Sequence, residues 1–347
     1  MKKIIILFSV ITTIVFSCKN AENDFPDFDY TTGYFPNQYP VRTIILGNYI
    51  YDNSNDNNHK FVISAAMGGV YKNKKDRVFT FIVDESLCED AFFSNGDEIR
   101  ILPDNYYQLS DPGKIVIPSG KESGGVEVQL TEAFFNDPLS IKNTYVLPLR
   151  LTSVTDIDSL LHGRAVRLDA DRRIQSHWEI LPKDFTMFAV KFINPYDGSY
   201  LHHGSSTVRD ASGTTVENTT YRAQYVEQNE VWRLTTVSRT GVSLTGTFKS
   251  SLMTGFFQMQ LNFTSDNYLA SGGVDCVIEA VEGSPYTITG TGKYTIGTEE
   301  FGGQKRDAIN ITYTISDGNY TYTATDVLVY RNRNVNFETY NLTIIPW

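Results

Sequence analysis

The chain has 347 residues, of which 41% are hydrophobic and 20% are charged. This balance favours folded domains over intrinsic disorder, and the length suits two domains of ordinary size. The formal net charge of -10 argues against nucleic acid as a partner and against a polybasic membrane-binding patch.

The N-terminus has the pattern of a secretory signal peptide. Lys2 and Lys3 form a basic region, a mostly apolar run follows, and Ser17 precedes Cys18. The apolar run is shorter than the roughly 20 residues that a membrane-spanning helix needs. A small residue followed by cysteine resembles a bacterial lipoprotein signal, which implies that residues 1–17 are removed and that Cys18 is acylated. An ordinary signal peptide and a weak transmembrane anchor are the alternatives.

Residues 18–26 are polar and acidic and lack periodicity, so we predict a flexible tether. Glu22 and Asp24 follow the cysteine closely. Acidic residues at such positions resemble the signal that directs Bacteroidetes lipoproteins to the outer face of the outer membrane. The resemblance implies that lipid on Cys18 holds the protein in the outer membrane, facing the cell surface.

Residues 27–172 show short strand-like segments separated by turn residues, which predicts a β-sandwich of immunoglobulin-like type. Val126, Val128 and Leu130 alternate with polar residues, so they are expected to form the buried face of one strand. Pro148 lies inside another strand-like segment and predicts a sheet edge or a bulge. The main strand-like segments are 41–46, 61–65, 78–83, 99–102, 114–117, 126–130 and 145–151.

Several motifs in this region resemble a domain of Bacteroidetes surface lipoproteins. They are the run 34–43 (YFPNQYPVRT) and the later LPDNYYQL, IVIPSG and YVLPLRLTS. In that family the domain precedes varied C-terminal modules, including family 18 glycosidases, and it recurs in polysaccharide-utilisation systems. The resemblance implies a domain without catalytic residues, in a Sus-like system with SusC/SusD-like partners.

The second domain is predicted to span residues 174–347, with the run 185–201 beginning a new sheet. That run contains Asn-Pro-Tyr-x-Gly between two strands, which resembles the opening of a barrel-like module often paired with the first domain. Farther on, Asp317-Gly318 lies between two alternating segments, which is a strong hairpin signal. Such strand pairs favour an antiparallel, lipocalin-like β-barrel, so the predicted fold is all-β. One face of the first hairpin strand is expected to carry Ile309, Ile311, Tyr313 and Ile315.

Common catalytic motifs are missing from the sequence. It has no GxSxG, HExxH or P-loop pattern, and it lacks the DxxDxDxE run of family 18 glycosidases. Adjacent acidic residues such as Asp97-Glu98 point to opposite faces of a strand, so no such pair supplies the two facing carboxylates of a glycosidase. We therefore predict that the protein is not an enzyme and uses no cofactor.

Metal and disulfide sites are not predicted either. The rings of His202 and His203 diverge on a strand, so they cannot share one ion. The loop 52–58 is rich in oxygen ligands but lacks the Gly and Glu of a calcium-binding EF-hand loop, and an Asx-rich turn is preferred over a calcium site. Cys88 and Cys276 are predicted to be free thiols, with a disulfide as the alternative.

The aromatic content, with 21 Tyr and 21 Phe, is the remaining signal, because sugars stack on flat aromatic rings. The preferred candidate platform is Trp232 with Tyr221 and Tyr225, and Trp178 near the domain junction is the second candidate. Core packing is the alternative for Trp232, which alternates with Leu234. If the second domain binds sugar, we expect aromatic stacking with few charges.

These observations favour a non-catalytic glycan-binding component of a Sus-like system, anchored to the outer membrane. The alternatives are a glycan hydrolase with dispersed carboxylates, and an adhesive or structural surface protein with a protein partner.

Overall fold

The computed structural model of the chain describes residues 27–345. The predicted signal peptide and tether lie outside the described residues. Residues 27–345 contain no helix that is both long enough and apolar enough to cross a membrane. The predicted all-β fold is confirmed, since a two-sheet sandwich is followed by a closed antiparallel barrel of eight strands.

The first domain consists of two facing sheets and two short helices. The elements are β1 (Thr32–Tyr34), β2 (Pro40–Ile45), α1 (Ser54–Asn57), β3 (Lys60–Gly68), β4 (Arg77–Val83), β5 (Ala91–Phe93), β6 (Arg100–Ile101), β7 (Tyr107–Leu109), β8 (Lys114–Ile117), β9 (Ser123–Leu130), α2 (Glu132–Asn136), β10 (Tyr145–Thr155), β11 (Ser159–Leu160), β12 (Arg164–Ala165), β13 (Trp178–Ile180) and β14 (Phe185–Ile193). One sheet has the strand order β11-β1-β3-β9-β7, and the larger sheet contains β2, β14, β10, β4 and β8 in that order, with β6 also paired to β10.

Alternation along the strands builds the core between these sheets. Val126, Val128 and Leu130 of β9 are buried, as predicted, while the intervening Glu127 and Gln129 are half-buried. Each buried aliphatic side chain of this kind contributes about 1.5–3 kcal/mol to folding. The sheet interface therefore supplies most of the apolar burial of the first domain.

The strand β14 belongs to the first domain, although the sequence pattern predicted it at the start of the second domain. It pairs with β10 on one side and with β2 on the other, so it is central in the larger sheet. Val190 and Phe192 face the core between the sheets, and Phe185, Met187 and Ala189 face a second apolar cluster on the opposite side. Because both faces of β14 are covered, its sequence is apolar almost throughout.

The barrel starts after the turn at residues 194–197. Its strands are β15 (Gly198–Asp210), β16 (Thr215–Tyr221), β17 (Glu230–Thr236), β18 (Gly241–Thr247), β19 (Phe256–Phe263), β20 (Val274–Ala280), β21 (Thr287–Phe301), β22 (Gln304–Ser316) and β23 (Tyr320–Asn332). The strands β15 and β17 to β23 close the barrel through the pairing of β15 with β23, and β16 pairs with the second half of β15.

The hairpin predicted at Asp317-Gly318 joins β22 to β23. Gly318 has a φ of 92°, a left-handed conformation that glycine adopts without the steric cost of a Cβ atom. The Asp317 carboxylate accepts hydrogen bonds from the backbone N–H groups of Asn319 and Tyr320. The predicted inner face of β22 is confirmed by the burial of Ile309, Ile311, Tyr313 and Ile315.

The end of the chain returns to the first domain. The strand β24 (Glu338–Thr339) pairs with β2, and β25 (Leu342–Ile344) pairs with β5. Between them, the buried ring of Tyr340 lies 5.1 Å from that of Phe93 and 5.7 Å from that of Tyr39, measured between centroids. The predicted second domain, 174–347, therefore includes segments at both ends that pack as part of the first domain.

Cys88 and Cys276 are free, as predicted, and both are buried, in different apolar clusters. Burial raises the pKa of each thiol to about 12. Since the thiolate is the reactive form, we expect neither cysteine to react with Ellman's reagent in the native chain from Lys19 onward at mildly alkaline pH. Two equivalents should react after denaturation. Rapid labelling of native protein would contradict this burial.

Candidate functional site

Trp232 and Tyr221, two of the predicted platform residues, meet at a buried polar cluster inside the barrel. The centre of the cluster is the carboxylate of Asp326, which is 0% exposed. It accepts hydrogen bonds from the hydroxyl groups of Tyr221 and Tyr313, the latter at 2.8 Å. The Nε2 atom of His202 lies 3.0 Å from Asp326 Oδ2, although the two atoms are not aligned for a hydrogen bond.

The chain makes room for this carboxylate with a glycine on the neighbouring strand. A Cβ atom at Gly204 would lie 2.1 Å from Asp326 Oδ1. Burial, followed by the Asp326 charge, raises the pKa values of both Tyr221 and Tyr313. The two phenols therefore stay protonated and remain donors to Asp326, which offsets the cost of burying its charge.

Trp232 is only 3% exposed. Its ring stacks on His202 with a centroid separation of 3.6 Å and an interplanar angle of 16°, and it meets Phe257 edge to face at 6.1 Å. The ring is therefore enclosed by the barrel core and does not form a surface platform. Tyr225 is 53% exposed and lies apart from this cluster, in the segment between β16 and β17.

The outer side of His202 contacts a partly exposed ion pair. His202 Nδ1 lies 3.3 Å from Glu230 Oε2, and the Lys249 ammonium lies 2.8 Å from the same oxygen. Burial alone raises the pKa of Glu230, but hydrogen bonding and attraction to Lys249 outweigh it, so the pKa is lowered. Asp326 and Glu230 are thus engaged by neighbouring side chains, whereas His202 Nε2 and the indole N–H of Trp232 have no hydrogen-bond partner among the described residues. The stacked rings fit a role in barrel packing.

A separate cleft of about 1190 Å³ lies beside the fourth predicted residue, Trp178. Three chain segments form its walls: the loop before β2, the stretch from 167 to 185, and the C-terminal tail. Its polar lining consists of Asn37, Gln38, Tyr39, Arg167, Arg172, Arg173, Gln175, His177, Thr339, Tyr340, Asn341 and Thr343. Aromatic rings and planar polar groups are thus brought together in one concave surface.

The arginines of the cleft pair with aspartates that do not line it. Arg167 pairs with Asp169, and Arg172 donates through Nε and Nη2 to Asp184, which is fully buried. Arg173 pairs with Asp171 and also donates to the backbone carbonyls of residues 87 and 89. The bonds to buried Asp184 and to the two carbonyls hold the guanidinium planes of Arg172 and Arg173 before a ligand arrives.

Trp178 supports the same segment without lining the cleft. Its indole N–H donates to the backbone carbonyl of Asp171 at 2.6 Å. This bond anchors the turn that carries Arg172 and Arg173. Trp178 is therefore a positioning residue for the cleft.

Tyr39 contributes a hydroxyl group that stays protonated. Burial, followed by the nearby Asp171 charge, raises the pKa of Tyr39 to about 12, and Arg173 offsets only part of this shift. Its ring meets Phe185 edge to face at 5.9 Å. The cleft therefore offers an aromatic ring with a hydrogen-bond donor at its tip.

The oxygen-rich loop 52–58 uses its side chains to fold the backbone. Asp56 accepts hydrogen bonds from Arg42 and from the Ile45 N–H, and Asn53 donates to the carbonyls of Ile45 and Gly47. In the part of the chain from 27 to 345, no group of three or more His, Cys, Asp or Glu side chains is placed to hold a metal ion.

Of the four ligand-binding residues predicted from the sequence, only Trp178 lies next to the cleft. The lining comes from segments more than a hundred residues apart, and strand patterns do not show which of them meet. The available signal was the charged run 169–175, which contains Arg172 and Arg173 and spans the predicted boundary between residues 172 and 174.

Two family models match the chain. A model described as an N-terminal domain matches residues 28–158, and one described as a domain of unknown function (DUF5627) matches residues 195–334. No curated protein matches the chain.

Solved structures from Bacteroides ovatus are also similar. A structural-genomics protein of unknown function is 37% identical, with a TM-score of 0.83 over 92% of this chain and 100% of that one. A multidomain protein including DUF1735 is 13% identical, with a TM-score of 0.39 over 88% of this chain and 97% of that one. The second likeness is too weak to argue from. The first likeness shows that the chain belongs to the family of that Bacteroides ovatus protein of unknown function. In this chain a DUF5627 domain follows the N-terminal domain.

Proposed function

We propose that this protein is an outer-membrane lipoprotein, anchored through Cys18 and facing the cell surface, that holds a saccharide in the cleft beside Trp178. It does so without catalysis, as a component of a Sus-like polysaccharide-utilisation system with SusC/SusD-like partners. The resemblance of the first domain to those of Bacteroidetes surface lipoproteins supports the location and the system.

The observation that carries the binding proposal is the composition of the cleft. Amide groups, guanidinium groups and hydroxyl groups bind sugar hydroxyls, and aromatic rings contact the C–H faces of sugar rings. Asn37, Gln175 and Asn341 supply the amides, and Tyr39 supplies aromatic surface. The volume of about 1190 Å³ suits several linked sugar units.

The same lining supports a non-catalytic role. A glycosidase requires two carboxyl groups about 5 to 9.5 Å apart across the scissile bond. The charged side chains that line the cleft are basic, and the nearby Asp184 is buried behind Arg172. A saccharide in this cleft would therefore meet hydrogen-bond donors rather than an acid–base pair.

The anchor can be tested first. Replacing Cys18 by Ala removes the sulfur that would carry lipid, so palmitate labelling should be abolished and the protein should be released or mislocalised. Labelling that persists in the Cys18→Ala variant would contradict the lipoprotein assignment.

Binding can be tested by applying the chain from Lys19 to Trp347 to a glycan array. We expect retention of a limited saccharide set, and loss of one amide in the Gln175→Ala variant should weaken it by about 0.5–1.5 kcal/mol. Gln108→Ala is the matched control, because Gln108 is exposed on β7 and does not line the cleft. Equal retention by both variants would contradict the cleft as the site. Release of reducing ends from a retained saccharide would contradict the non-catalytic role.

A further inference from the structure

The charges of the cleft differ from those of the chain as a whole. The protein has a formal net charge of -10, yet the lining contains three arginines and one histidine and no carboxylate side chain. Acidic residues outnumber basic ones in the sequence, so a concave surface with only basic charged groups is not what the composition predicts. This lining also differs from the site with few charges that the sequence analysis expected.

Two hydrogen-bond donors, from Arg167 and His177, lie close together in the cleft, and neither accepts a hydrogen bond from the other. The backbone N–H of Asp171 donates to His177 Nδ1 at 3.1 Å, so Nδ1 is the unprotonated nitrogen of the ring and Nε2 carries the hydrogen. Arg167 Nη1 lies 3.3 Å from that Nε2. Since an arginine nitrogen can only donate, these two nitrogens cannot hydrogen-bond each other, and an acceptor beside the pair can receive a hydrogen bond from each.

Arg172 adds a third donor group. Its Nε and Nη2 atoms are bonded to Asp184, which leaves Nη1 free among the hydrogen bonds of residues 27–345. Asp184 is also bonded to His162 Nδ1 at 2.7 Å, so its buried carboxylate has two side-chain partners, Arg172 and His162. The aspartate acceptors do not line the cleft, whereas the arginines do.

We infer that the cleft takes an anionic saccharide whose carboxylate or sulfate group accepts hydrogen bonds from both Arg167 and His177, an inference that rests on the proposed function. Oxyanion groups supply the acceptor that these two donors lack. Guanidinium groups held in a fixed plane bind carboxylate and sulfate oxygens with charge-assisted hydrogen bonds. The amides and Tyr39 then contact the neutral part of the sugar.

The test is a calorimetric titration of the chain from Lys19 to Trp347 with four saccharides of similar length. They are an oligogalacturonate, its methyl ester, a sulfated carrageenan oligosaccharide and a neutral malto-oligosaccharide. We expect the free acid or the sulfated sugar to bind at least about tenfold more tightly than the methyl ester and the neutral sugar. The preferred anion identifies the carboxylate or the sulfate as the recognised group, and its affinity should fall as salt is raised.

Substitutions of the cleft arginines test which side chains contact the anionic group. Arg167→Gln should weaken binding of the preferred anion about tenfold, with little change in melting temperature because its partner Asp169 is exposed. Arg172→Gln should weaken it similarly and also lower the melting temperature, because it removes a partner of buried Asp184. Arg164→Gln is the matched control, since Arg164 is exposed, pairs with Glu179 and does not line the cleft.

The outcomes separate this inference from the proposed function. Equal binding of the free acid, its methyl ester and the neutral sugar would overturn the inference that the ligand is anionic. The proposal that the cleft binds a saccharide would be unaffected. An equal loss in Arg167→Gln and Arg164→Gln would overturn the assigned contact. Failure of every saccharide on both the array and the titration would overturn the proposed function and this inference together.

Discussion

A fragment that ends at Arg172 should not fold cooperatively, whereas a fragment from Asp27 to Asn194 should. The difference is β14, Phe185–Ile193, which lies between β2 and β10 in the larger sheet. Its buried apolar side chains contribute about 1.5–3 kcal/mol each. Together they approach the whole stability of a domain, which is about 5–15 kcal/mol.

Thermal melts and amide dispersion in NMR spectra measure this difference. The longer fragment should give a cooperative melt below that of the whole chain, because it lacks β24 and β25. A cooperative melt and dispersed amides from the fragment 27–172 would contradict the placement of β14 and restore the boundary expected from the sequence.

The second large effect is expected from Trp232→Ala. Removing a buried Trp leaves a cavity in the barrel core, and such changes typically destabilise a protein by about 3–5 kcal/mol. The loss of stacking on His202 and of contact with Phe257 acts in the same direction. A denaturant melt of the chain from Lys19 onward should show a clear fall in midpoint.

Tyr225→Ala is the matched control for this variant. Its side chain is more than half exposed, so the change should alter stability by no more than about 0.5 kcal/mol. An unchanged melt for Trp232→Ala, combined with lost saccharide binding, would contradict the core assignment and support the platform interpretation.

Local patterns in the sequence predicted the strands and turns better than they predicted which strands pair. The inner face of β22 and the Asp317-Gly318 hairpin depend on neighbouring residues, and both are confirmed. The strand at Phe185–Ile193 was also expected, but its sheet is decided by pairing with β2 and β10, far away in the chain. Its nearly continuous apolar run was the available sign of a strand covered on both faces.

The same limit explains the candidate site. Trp232 alternates with Leu234, a pattern that suits both a core residue and a surface ring, and only its neighbours His202 and Phe257 decide between them. The cleft depends on the return of the C-terminal tail to the first domain. The contact of Tyr340 with Tyr39 joins residues about three hundred positions apart, which periodicity does not reveal.

The most direct test of the account is a crystal structure of the chain from Lys19 to Trp347 with the tightest-binding saccharide of the panel. We expect the sugar in the cleft, with an anionic group hydrogen-bonded to both Arg167 and His177 and a sugar ring near Tyr39. A saccharide bound at the barrel, or anywhere that leaves Arg167 and His177 uncontacted, would contradict the account.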